Sequence, residues 1–260
     1  MQTNTALVTG ASSGIGMELA RILAREGHNL LITARREDRL SELKKEIEAE
    51  FDVDVRTFAT DLTENNAPRE VFDFAKNHSL TVDVLVNNAG IGDYGFFHES
   101  DWNRHAAIID LNIKSLTHLT HLFLPAMIKL ERAYILNVAS TAAFQPGPLM
   151  SVYYASKSYV LSFGEAIANE LKGTGVTVTT LCPGPTESEF QNKANMEKSK
   201  LFDNLPVATS KEVAEYGYKT MKKGKRVAVY GFLNKFIPKT VGIFPRKFVT
   251  ASVRFIQQRK

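Results

Sequence analysis

Short apolar segments rich in β-branched residues alternate with helix-length amphipathic segments along most of this chain. TALVTG (5–10) ends on a glycine and is followed by a helix-like apolar pattern from Ile15 to Gly27. Six further apolar segments follow: NLLITA (29–34), VRTFAT (55–60), VDVLVN (82–87), AYILNV (133–138), VTVTTL (176–181) and RVAVYG (226–231). Strands this apolar need cover on both faces, which is typical of parallel sheets. The pattern predicts an α/β fold: one doubly wound sheet of seven parallel strands with helices on both faces.

No linker rich in proline or serine interrupts the alternation, so we expect residues 1–260 to form a single domain, with 190–210 as a polar excursion. The single cysteine, Cys182, excludes an internal disulfide framework and a cysteine-built zinc site. The six histidines lack metal-site spacing, so no metal is expected. The opening residues do not resemble a signal peptide, and no run of about 18 apolar residues occurs. We therefore expect a soluble, cytoplasmic protein.

Three glycines stand between the first predicted strand and the first predicted helix, in TGASSGIG (9–16). Gly10, Gly14 and Gly16 have the spacing G-x-x-x-G-x-G, and Ser12 and Ser13 can add hydroxyl donors. Glycines let the backbone turn sharply and approach a pyrophosphate, whose charge is favoured at a helix N-terminus. The loop therefore favours a dinucleotide site, with an ordinary tight turn as the alternative.

The end of the second strand bears on which dinucleotide would bind. Many such sites have a carboxylate about 20 residues after the glycine loop, which holds the ribose 2′-hydroxyl. This chain has Arg35 and Arg36 there instead, and a guanidinium suits a 2′-phosphate. NADP(H) is therefore favoured over NAD(H), with Arg35 as the phosphate ligand and Arg36 as the start of a charged helix face.

Polar residues also follow the third and fourth strands, at the edge where sheets of this kind bind ligands. Asp61 could meet an adenine amine there, and capping a helix is its alternative role. In NNAG (87–90), Asn88 is expected at the cofactor, whereas Asn87 is expected to brace neighbouring backbone groups.

Tyr153 and Lys157 are four residues apart on a predicted helix that begins near Ser151. Residues at this spacing share a helix face, and a lysine ammonium lowers the pKa of a neighbouring phenol, which is about 10 when unperturbed. The pair could move a proton to or from a carbinol oxygen. Tyr154, three residues from Lys157, competes for the role.

Two more polar residues are candidates for the same site. Ser140 ends the fifth strand and could bind a substrate carbonyl or cap a turn. Asn112 lies in a long helical stretch (101–130), where asparagine is mildly unfavourable. It could bend the helix or hold a water that links Lys157 to solvent.

Together these segments resemble the short-chain dehydrogenase/reductase family in its compact one-domain form. The matching motifs, which span most of residues 3–231, are TGASSGIG (9–16), DL (61–62), NNAG (87–90), Asn112, Ser140, YYASK (153–157) and PGPTES (183–188). The resemblance implies a Rossmann-type sheet in the order 3-2-1-4-5-6-7. It also implies a homo-oligomer, a dimer or tetramer, that transfers a hydride between NADP(H) and a carbonyl or secondary alcohol.

The resemblance implies a role for each matched residue. Tyr153 would be the acid/base, Ser140 would orient the carbonyl, and Asn112 would support the proton relay. Lys157 would also hold the nicotinamide ribose, and the four-residue spacing selects Tyr153 over Tyr154. The residues that would line the cofactor are Gly10, Ser12, Ser13, Gly14, Ile15, Gly16, Arg35, Asp61, Leu62, Asn88, Ala89, Gly90, Tyr153, Lys157, Pro183, Gly184, Thr186 and Ser188. Ser188 stands where the family often has threonine, and Thr186 competes with it.

The alanine–arginine pair after the second strand is similar to NADPH-dependent carbonyl reductases, including those of 3-oxoacyl and 3-hydroxy-acid compounds. The family's substrate loops correspond here to 92–97, 142–152 and 190–206. Their apolar side chains, which favour an apolar carbonyl compound over a sugar, are Phe96, Phe97, Phe144, Leu149, Met150, Phe190 and Met196. A non-catalytic NADP-binding sensor or scaffold and a peripheral-membrane reductase of lipid acyl substrates are the alternatives.

The charge of the chain is unevenly distributed. The net charge is +4, yet residues 219–260 contain 12 Lys or Arg and no Asp or Glu. Within this region, 232–260 is predicted to be a basic amphipathic extension, with a helix introduced by Pro245. Its apolar positions are Phe248, Val249, Val253, Phe255 and Ile256. The helix could dock on its own body, on a neighbouring subunit or on an anionic membrane surface. No nucleic-acid motif accompanies the charge, so no nucleic-acid partner is expected.

Overall fold

The structure is a computed structural model that describes residues 4–190, 194, 207–236, 238 and 241–258. Its strands are β1 (Asn4–Thr9), β2 (Asn29–Ala34), β3 (Val55–Ala59), β4 (Thr81–Asn87), β5 (Ala133–Val138), β6 (Val176–Cys182), β7 (Thr186–Glu187), β8 (Ala208–Thr209) and β9 (Val227–Val229). Seven of them form one parallel sheet in the order β3-β2-β1-β4-β5-β6-β9. The predicted fold and strand order are confirmed, because β9 is the seventh strand of this sheet.

Helices cover both faces of the sheet. They are α1 (Gly14–Arg25), α2 (Glu37–Glu50), α3 (Ala67–Asn77), α4 (Trp102–Ile109), α5 (Leu116–Met127), α6 (Ser151–Glu170), α7 (Ser210–Lys222) and α8 (Arg246–Ile256). Successive strand residues point to opposite faces. Ala6 and Val8 of β1 accordingly belong to a core with α1, α2 and α7, whereas Leu7 belongs to a core with α3 and α5.

The strand order reverses between β1 and β4, because β2 and β3 continue on one side and β5, β6 and β9 on the other. In sheets of this kind, ligands bind beyond the carboxyl ends of the strands at this reversal. The loops that follow Thr9, Asn87 and Val138 meet at that edge. The fold therefore brings the glycine loop, NNAG and Ser140 together.

The long helical stretch predicted over 101–130 is divided in two. A π-helical turn, Asp110–Ser115, joins α4 to α5. Such turns are rare and are frequent at functional sites. Asn112 lies within this turn, in agreement with the expectation that it distorts its helix.

The polar excursion predicted over 190–210 leaves and rejoins the fold at one place. β7 and β8 pair in parallel, with Thr186 opposite Ala208. Most of the excursion, including Met196 and Pro206, lies outside the described residues, as do 259–260. Within the ranges that the structure describes, no helix is long and apolar enough to cross a bilayer.

Candidate active site

A cavity of about 740 Å³ opens at the carboxyl ends of the strands. Small-molecule sites are typically of this size, ~300–1,000 Å³. The predicted site residues in its wall are Gly10, Ser12, Ser13, Gly14, Ile15, Arg35, Asp61, Leu62, Asn88, Ala89, Gly90, Ser140, Tyr153, Lys157, Pro183, Gly184, Thr186 and Ser188. Gly16 and Asn112 are buried behind it. Among the described residues, no three His, Cys, Asp or Glu side chains are grouped to hold a metal ion.

The glycine loop is fixed by hydrogen bonds to the end of β4. Thr9 Oγ1 accepts from the backbone N–H groups of Asn88 and Ala89, both at 3.0 Å, and donates to the Val86 carbonyl at 3.1 Å. Asn88 Nδ2 donates to the carbonyls of Thr9, at 2.9 Å, and Gly10, at 3.3 Å. Asn88 thus positions the loop as well as lining the cavity. The sequence analysis missed Thr9, because a threonine within a strand carries no mark of a site.

Two of the three loop glycines are required by close packing. Gly10 has a φ of +67°, in the left-handed region that favours glycine. A Cβ on Gly16 would lie 2.3 Å from Asn88 Nδ2 and 2.5 Å from the Gly10 carbonyl oxygen. The loop therefore packs tightly against β4, and the N-terminal end of α1, through Gly14 and Ile15, borders the cavity.

Both arginines after β2 border the cavity. Arg35 Nη1 lies 3.6 Å from Asp61 Oδ2. Arg36 Nη2 donates to Ser12 Oγ at 3.2 Å and to the Ser12 carbonyl at 3.3 Å, and it pairs with Glu189 at 2.8 Å. The expectation that Arg36 only begins a charged helix face is therefore wrong, because its guanidinium contacts the glycine loop.

Asp61 and Asn87 each have a structural role. Asp61 Oδ1 accepts from the Thr63 backbone N–H at 3.0 Å and from its hydroxyl at 2.9 Å, which closes the turn after β3, whereas the N-cap of α3 is Asn66. Its second carboxylate oxygen faces Arg35 at the cavity. Asn87 Nδ2 donates to Thr120 Oγ1 at 3.0 Å and to Asn137 Oδ1 at 2.9 Å. Asn87 is a bracing residue as predicted, although its partners are side chains rather than backbone groups.

Asn112 connects the π turn to the cavity wall. Its Oδ1 accepts from the Ile91 backbone N–H, and its Nδ2 donates to the Ile91 carbonyl, both at 3.0 Å. Nδ2 also donates to Ser156 Oγ of α6 at 2.9 Å. A Cβ on Gly90 would lie 3.2 Å from Lys157 Nζ and 3.3 Å from Asn112 Oδ1. Asn112 therefore orders the loop after β4 and α6, directly behind Lys157.

Tyr153, Lys157 and Ser140 line one part of the cavity. Lys157 Nζ donates to the Val138 carbonyl at 2.9 Å and lies 5.8 Å from the centre of the Tyr153 ring. Ser140 Oγ accepts from the Ala142 N–H at 3.1 Å, so it caps a short helix, Thr141–Phe144. Ser140 also hydrogen-bonds to Tyr153. Ser140 therefore caps a turn, one of the two roles considered for it, and its contact with a substrate carbonyl stays a prediction.

Burial decides the proton affinities at this site. It raises the pKa of Tyr153 to about 12, and the hydrogen bond with Ser140 opposes the rise. Burial also lowers the pKa of Lys157 to about 8. Burial and the Ser140 hydrogen bond account for the pKa of Tyr153 here, and the expectation that Lys157 lowers this pKa stays a prediction. Tyr153 keeps its proton at neutral pH.

Tyr154 faces a different part of the wall. Its ring packs on Gly147, where a Cβ would lie 2.1 Å from Tyr154 Cγ, and its hydroxyl accepts from Gln257 Nε2. Helix α6 begins just after Leu149, which has a φ of +69°. The Leu149 carbonyl accepts from the Gly95 N–H at 2.9 Å. The structure thus distinguishes two tyrosines that helical spacing alone could not.

The segment after β6 brings both competing hydroxyls to the cavity. Thr186 Oγ1 donates to the Gly184 carbonyl at 3.0 Å, and Ser188 Oγ accepts from the Phe190 N–H at 3.3 Å. Because Thr186 and Ser188 both line the wall, the carboxamide contact stays a prediction for either of them.

Helix α8 forms a wall of the cavity that no sequence motif indicates. Val249 and Val253 are buried in a cluster with Leu149, Met150 and Tyr154. The residues of this region that border the cavity are Val241, Phe244, Phe248, Val249, Ser252, Val253, Ile256 and Gln257. The described part of the C-terminal extension therefore docks on its own body, one of the three placements considered for it.

Polar contacts hold the end of α8 in place. The Tyr94 hydroxyl donates to the Gln257 carbonyl, and Gln257 Nε2 donates to the Tyr154 hydroxyl. The Arg254 guanidinium lies over the Phe96 ring, 4.9 Å from its centre. These contacts join α8 to the loop after β4 and to α6, which carries Tyr153 and Lys157.

The fold and the cavity define a class: a doubly wound nucleotide-binding oxidoreductase with a tyrosine and a lysine beside the nucleotide loop. The profile of the short chain dehydrogenase family matches residues 4–199. The chain belongs to the short-chain dehydrogenase/reductase family, whose members act on CH–OH and C=O groups. The predicted family and reaction class are confirmed.

Three similar proteins illustrate the range of the family. The chain is 39% identical over 192 residues to sulfoacetaldehyde reductase 2 of Chromohalobacter salexigens, covering 71% of this chain and 73% of that protein. It is 34% identical over 216 residues to the NADP-dependent 3-hydroxy acid dehydrogenase YdfG of Salmonella typhimurium, covering 80% and 85%. A short-chain dehydrogenase from Sphingobium yanoikuyae, solved in complex with NADPH, has a TM-score of 0.83 at 28% identity, covering 92% and 93%.

Proposed function

We propose that this protein is an NADP(H)-dependent reductase of an apolar carbonyl compound, such as a ketone or a 3-oxoacyl compound, and oxidises the corresponding alcohol in reverse. One observation carries the proposal. Tyr153, Lys157 and Ser140 line the same cavity as the glycine loop and the two arginines. A group able to move a proton therefore lies beside a site built for a phosphorylated dinucleotide.

The cavity residues fit NADP(H). The glycine loop and the N-terminal end of α1 suit a pyrophosphate, because the loop lacks side chains and the helix end favours negative charge. Arg35 and Arg36 would hold the 2′-phosphate, and Asp61 would meet the adenine. The NADPH complex and the NADP-dependent relative support this choice. When bound, NADP(H) supplies or accepts the hydride.

Tyr153 would hold the proton that reaches the substrate oxygen. With a pKa of about 12, its hydroxyl is protonated at neutral pH and can donate to a carbonyl oxygen. Ser140, hydrogen-bonded to Tyr153, would orient the same oxygen. Lys157, with a pKa of about 8, carries a positive charge at neutral pH and would stabilise the Tyr153 phenolate left after the transfer. Asn112 would act as a positioning residue through Ile91 and Ser156.

The substrate part of the cavity supports an apolar compound. Its wall on the side of α8 contains Met150, Phe190, Val249 and Val253. Apolar walls with a few convergent polar groups are typical of sites for apolar ligands. Assembly into a dimer or tetramer and a cytoplasmic location stay predictions.

The replacement Tyr153→Phe tests the proton-donor assignment. It removes one hydroxyl from a buried ring, so we expect NADPH oxidation with any accepted ketone to fall by about 10²–10⁴-fold. The dissociation constant for NADPH, measured by fluorescence titration, should change little. Tyr159→Phe is the matched control, because Tyr159 lies on the same helix but its hydroxyl bonds to Thr117 at 3.0 Å, outside the cavity.

Two outcomes would decide against the proposal. Turnover that persists in Tyr153→Phe would show that another group donates the proton. A wild-type protein that binds NADPH tightly, yet reduces no compound in a panel of ketones and 3-oxoacyl thioesters, would instead indicate the sensor or scaffold.

A further inference from the structure

Large apolar side chains are exposed chiefly near the C-terminal wall. Of the twelve exposed large apolar residues in the part of the chain that the structure describes, seven lie between 232 and 256. They are Phe232, Phe236, Ile243, Phe244, Phe248, Phe255 and Ile256. Single exposed apolar residues are ordinary, but a group of them marks a surface that contacts something else.

Helix α8 has one wide apolar face, and only part of it is buried. Val249 and Val253 are buried against the body, whereas Phe248 is 58% and Phe255 is 73% exposed. Phe248 and Phe255 are seven residues apart, so they lie on one side of the helix. The Phe244 ring contacts the Phe248 ring, with 5.5 Å between their centres. Docking on the body therefore covers the inner part of this apolar face and leaves its outer side in water.

This outer side continues into the cavity. Phe244, Phe248 and Ile256 are about half exposed and also border the cavity. Together with Ile243 and Phe255 they form what we call the rim surface. A substrate that reached the cavity across the rim surface would pass over apolar side chains along its path.

The segment that carries the rim surface is strongly basic. Residues 219–260 contain 12 Lys or Arg and no Asp or Glu. Arg246 and Lys247, in the first turn of α8, are exposed beside the rim residues. Aromatic side chains flanked by basic ones are typical of helices that lie on anionic lipid, because each basic residue near the surface is attracted to the lipid headgroups.

We propose that the rim surface docks on an anionic lipid bilayer, with the mouth of the cavity against the lipid. Charge complementarity selects this partner. A second copy that used the same surface would bring two strongly basic regions together, and like charges at an interface oppose association. Entry of an apolar carbonyl substrate from the bilayer rests on the proposed function, whereas the docking itself does not.

The test is sedimentation of the full-length protein with vesicles of equal parts phosphatidylglycerol and phosphatidylcholine. We expect binding to these vesicles, weaker binding at higher salt, and little binding to phosphatidylcholine alone. The double variant Ile243→Ser, Phe255→Ser should weaken binding by about tenfold or more, because each side chain loses its apolar contact. Arg246→Gln with Lys247→Gln should weaken it by about thirtyfold.

Matched variants test whether weaker vesicle binding comes from the rim surface itself or from any loss of charge or apolar area. Ile128→Ser removes an exposed apolar residue at the end of α5, and Lys129→Gln with Lys172→Gln removes two exposed charges. Both should bind vesicles like the wild type. Ile243 and Phe255 do not border the cavity, so their variant should reduce a water-soluble ketone at the wild-type rate.

Three results would overturn the docking. Wild-type protein that sediments equally with neutral and anionic vesicles, or with neither, would contradict docking on anionic lipid. A wild-type dimer or tetramer in light scattering that dissociates in the Ile243→Ser, Phe255→Ser variant would also contradict it. The rim surface would then be a contact between two copies of the chain. Failure of ketone reduction with intact vesicle binding would contradict only the proposed function.

Discussion

The nucleotide side of the cavity and its C-terminal wall are held in place by different kinds of contact. On the nucleotide side, Thr9 and Asn88 hydrogen-bond to backbone groups over distances that leave no room for a Cβ on Gly16. On the wall, Val249 and Val253 pack into an apolar cluster, to which Gln257 adds hydrogen bonds. The first arrangement requires particular residue types, whereas the second accepts apolar residues of similar size.

This difference separates two functions of one cavity. Hydrogen bonds have strict distances and angles, so the nucleotide side can hold a charged ligand in one position. Apolar packing mainly constrains the volume of the side chains. Changes in the wall can therefore alter which substrate fits and leave the position of the cofactor unchanged. We therefore expect substitutions on the two sides to affect different constants.

The largest effect is expected for Gly16→Ala. The new Cβ would overlap Asn88 Nδ2 and the Gly10 carbonyl, so the loop must move away from β4. Each backbone hydrogen bond to a charged pyrophosphate contributes ~1.5–3 kcal/mol, so losing two of them should raise the NADPH dissociation constant by about 10²-fold or more. Gly95→Ala is the control, because its Cβ would make only an ordinary contact of 3.5 Å with Ser100 Oγ. Unchanged NADPH binding in Gly16→Ala would show that the loop is not rigid.

A smaller and more selective effect is expected for Arg35→Asp. It removes a guanidinium and adds a carboxylate where a 2′-phosphate would bind. Hydrogen bonds to charged groups contribute ~1.5–3 kcal/mol, so NADPH binding should weaken by about 10–100-fold and NADH binding far less. Titration of the Arg36→Gln variant with NADPH and NADH measures how much the second guanidinium contributes to NADPH binding. Equal weakening of NADPH and NADH in Arg35→Asp would contradict the cofactor preference.

The smallest effect is expected on the wall, for Val253→Ala. The loss of two buried methyl groups weakens apolar packing by about 1–2 kcal/mol. The KM for an apolar ketone should rise by up to about tenfold, whereas the NADPH dissociation constant should stay the same. Val227→Ala on β9 removes the same volume away from the cavity and serves as the control. If Val253→Ala impaired NADPH binding as much as ketone binding, the two sides would not be independent.

Local features of the fold and site could be predicted from the sequence. NLLITA and AYILNV coincide with β2 and β5, because apolar β-branched runs must be buried. Tyr153, Lys157 and the glycine loop could be located because their chemistry depends on residues close together in the chain. The same reasoning located Ser140 at the end of a strand.

Contacts between distant segments could not be predicted. Gln257 is 163 residues from Tyr94 and 103 residues from Tyr154. No short motif indicates contacts between such distant residues. The sequence therefore left several docking sites open for the C-terminal helix. The pKa of Tyr153 was missed for a related reason. Lys157 is visible in the sequence, but the depth of burial that raises the pKa of Tyr153 depends on the folded structure.

The backbone conformation of Leu149 determines which side chains of α6 face Ser140. Neighbouring residues on a helix are about 100° apart, so a start displaced by one position would turn Tyr153 away from Ser140 and bring Tyr154 towards it. The left-handed φ of Leu149, the bond from Gly95 and the 3.1 Å bond from the Met150 N–H to the Gly147 carbonyl fix where the first turn begins. One unfavourable backbone conformation therefore determines which of two identical side chains faces Ser140.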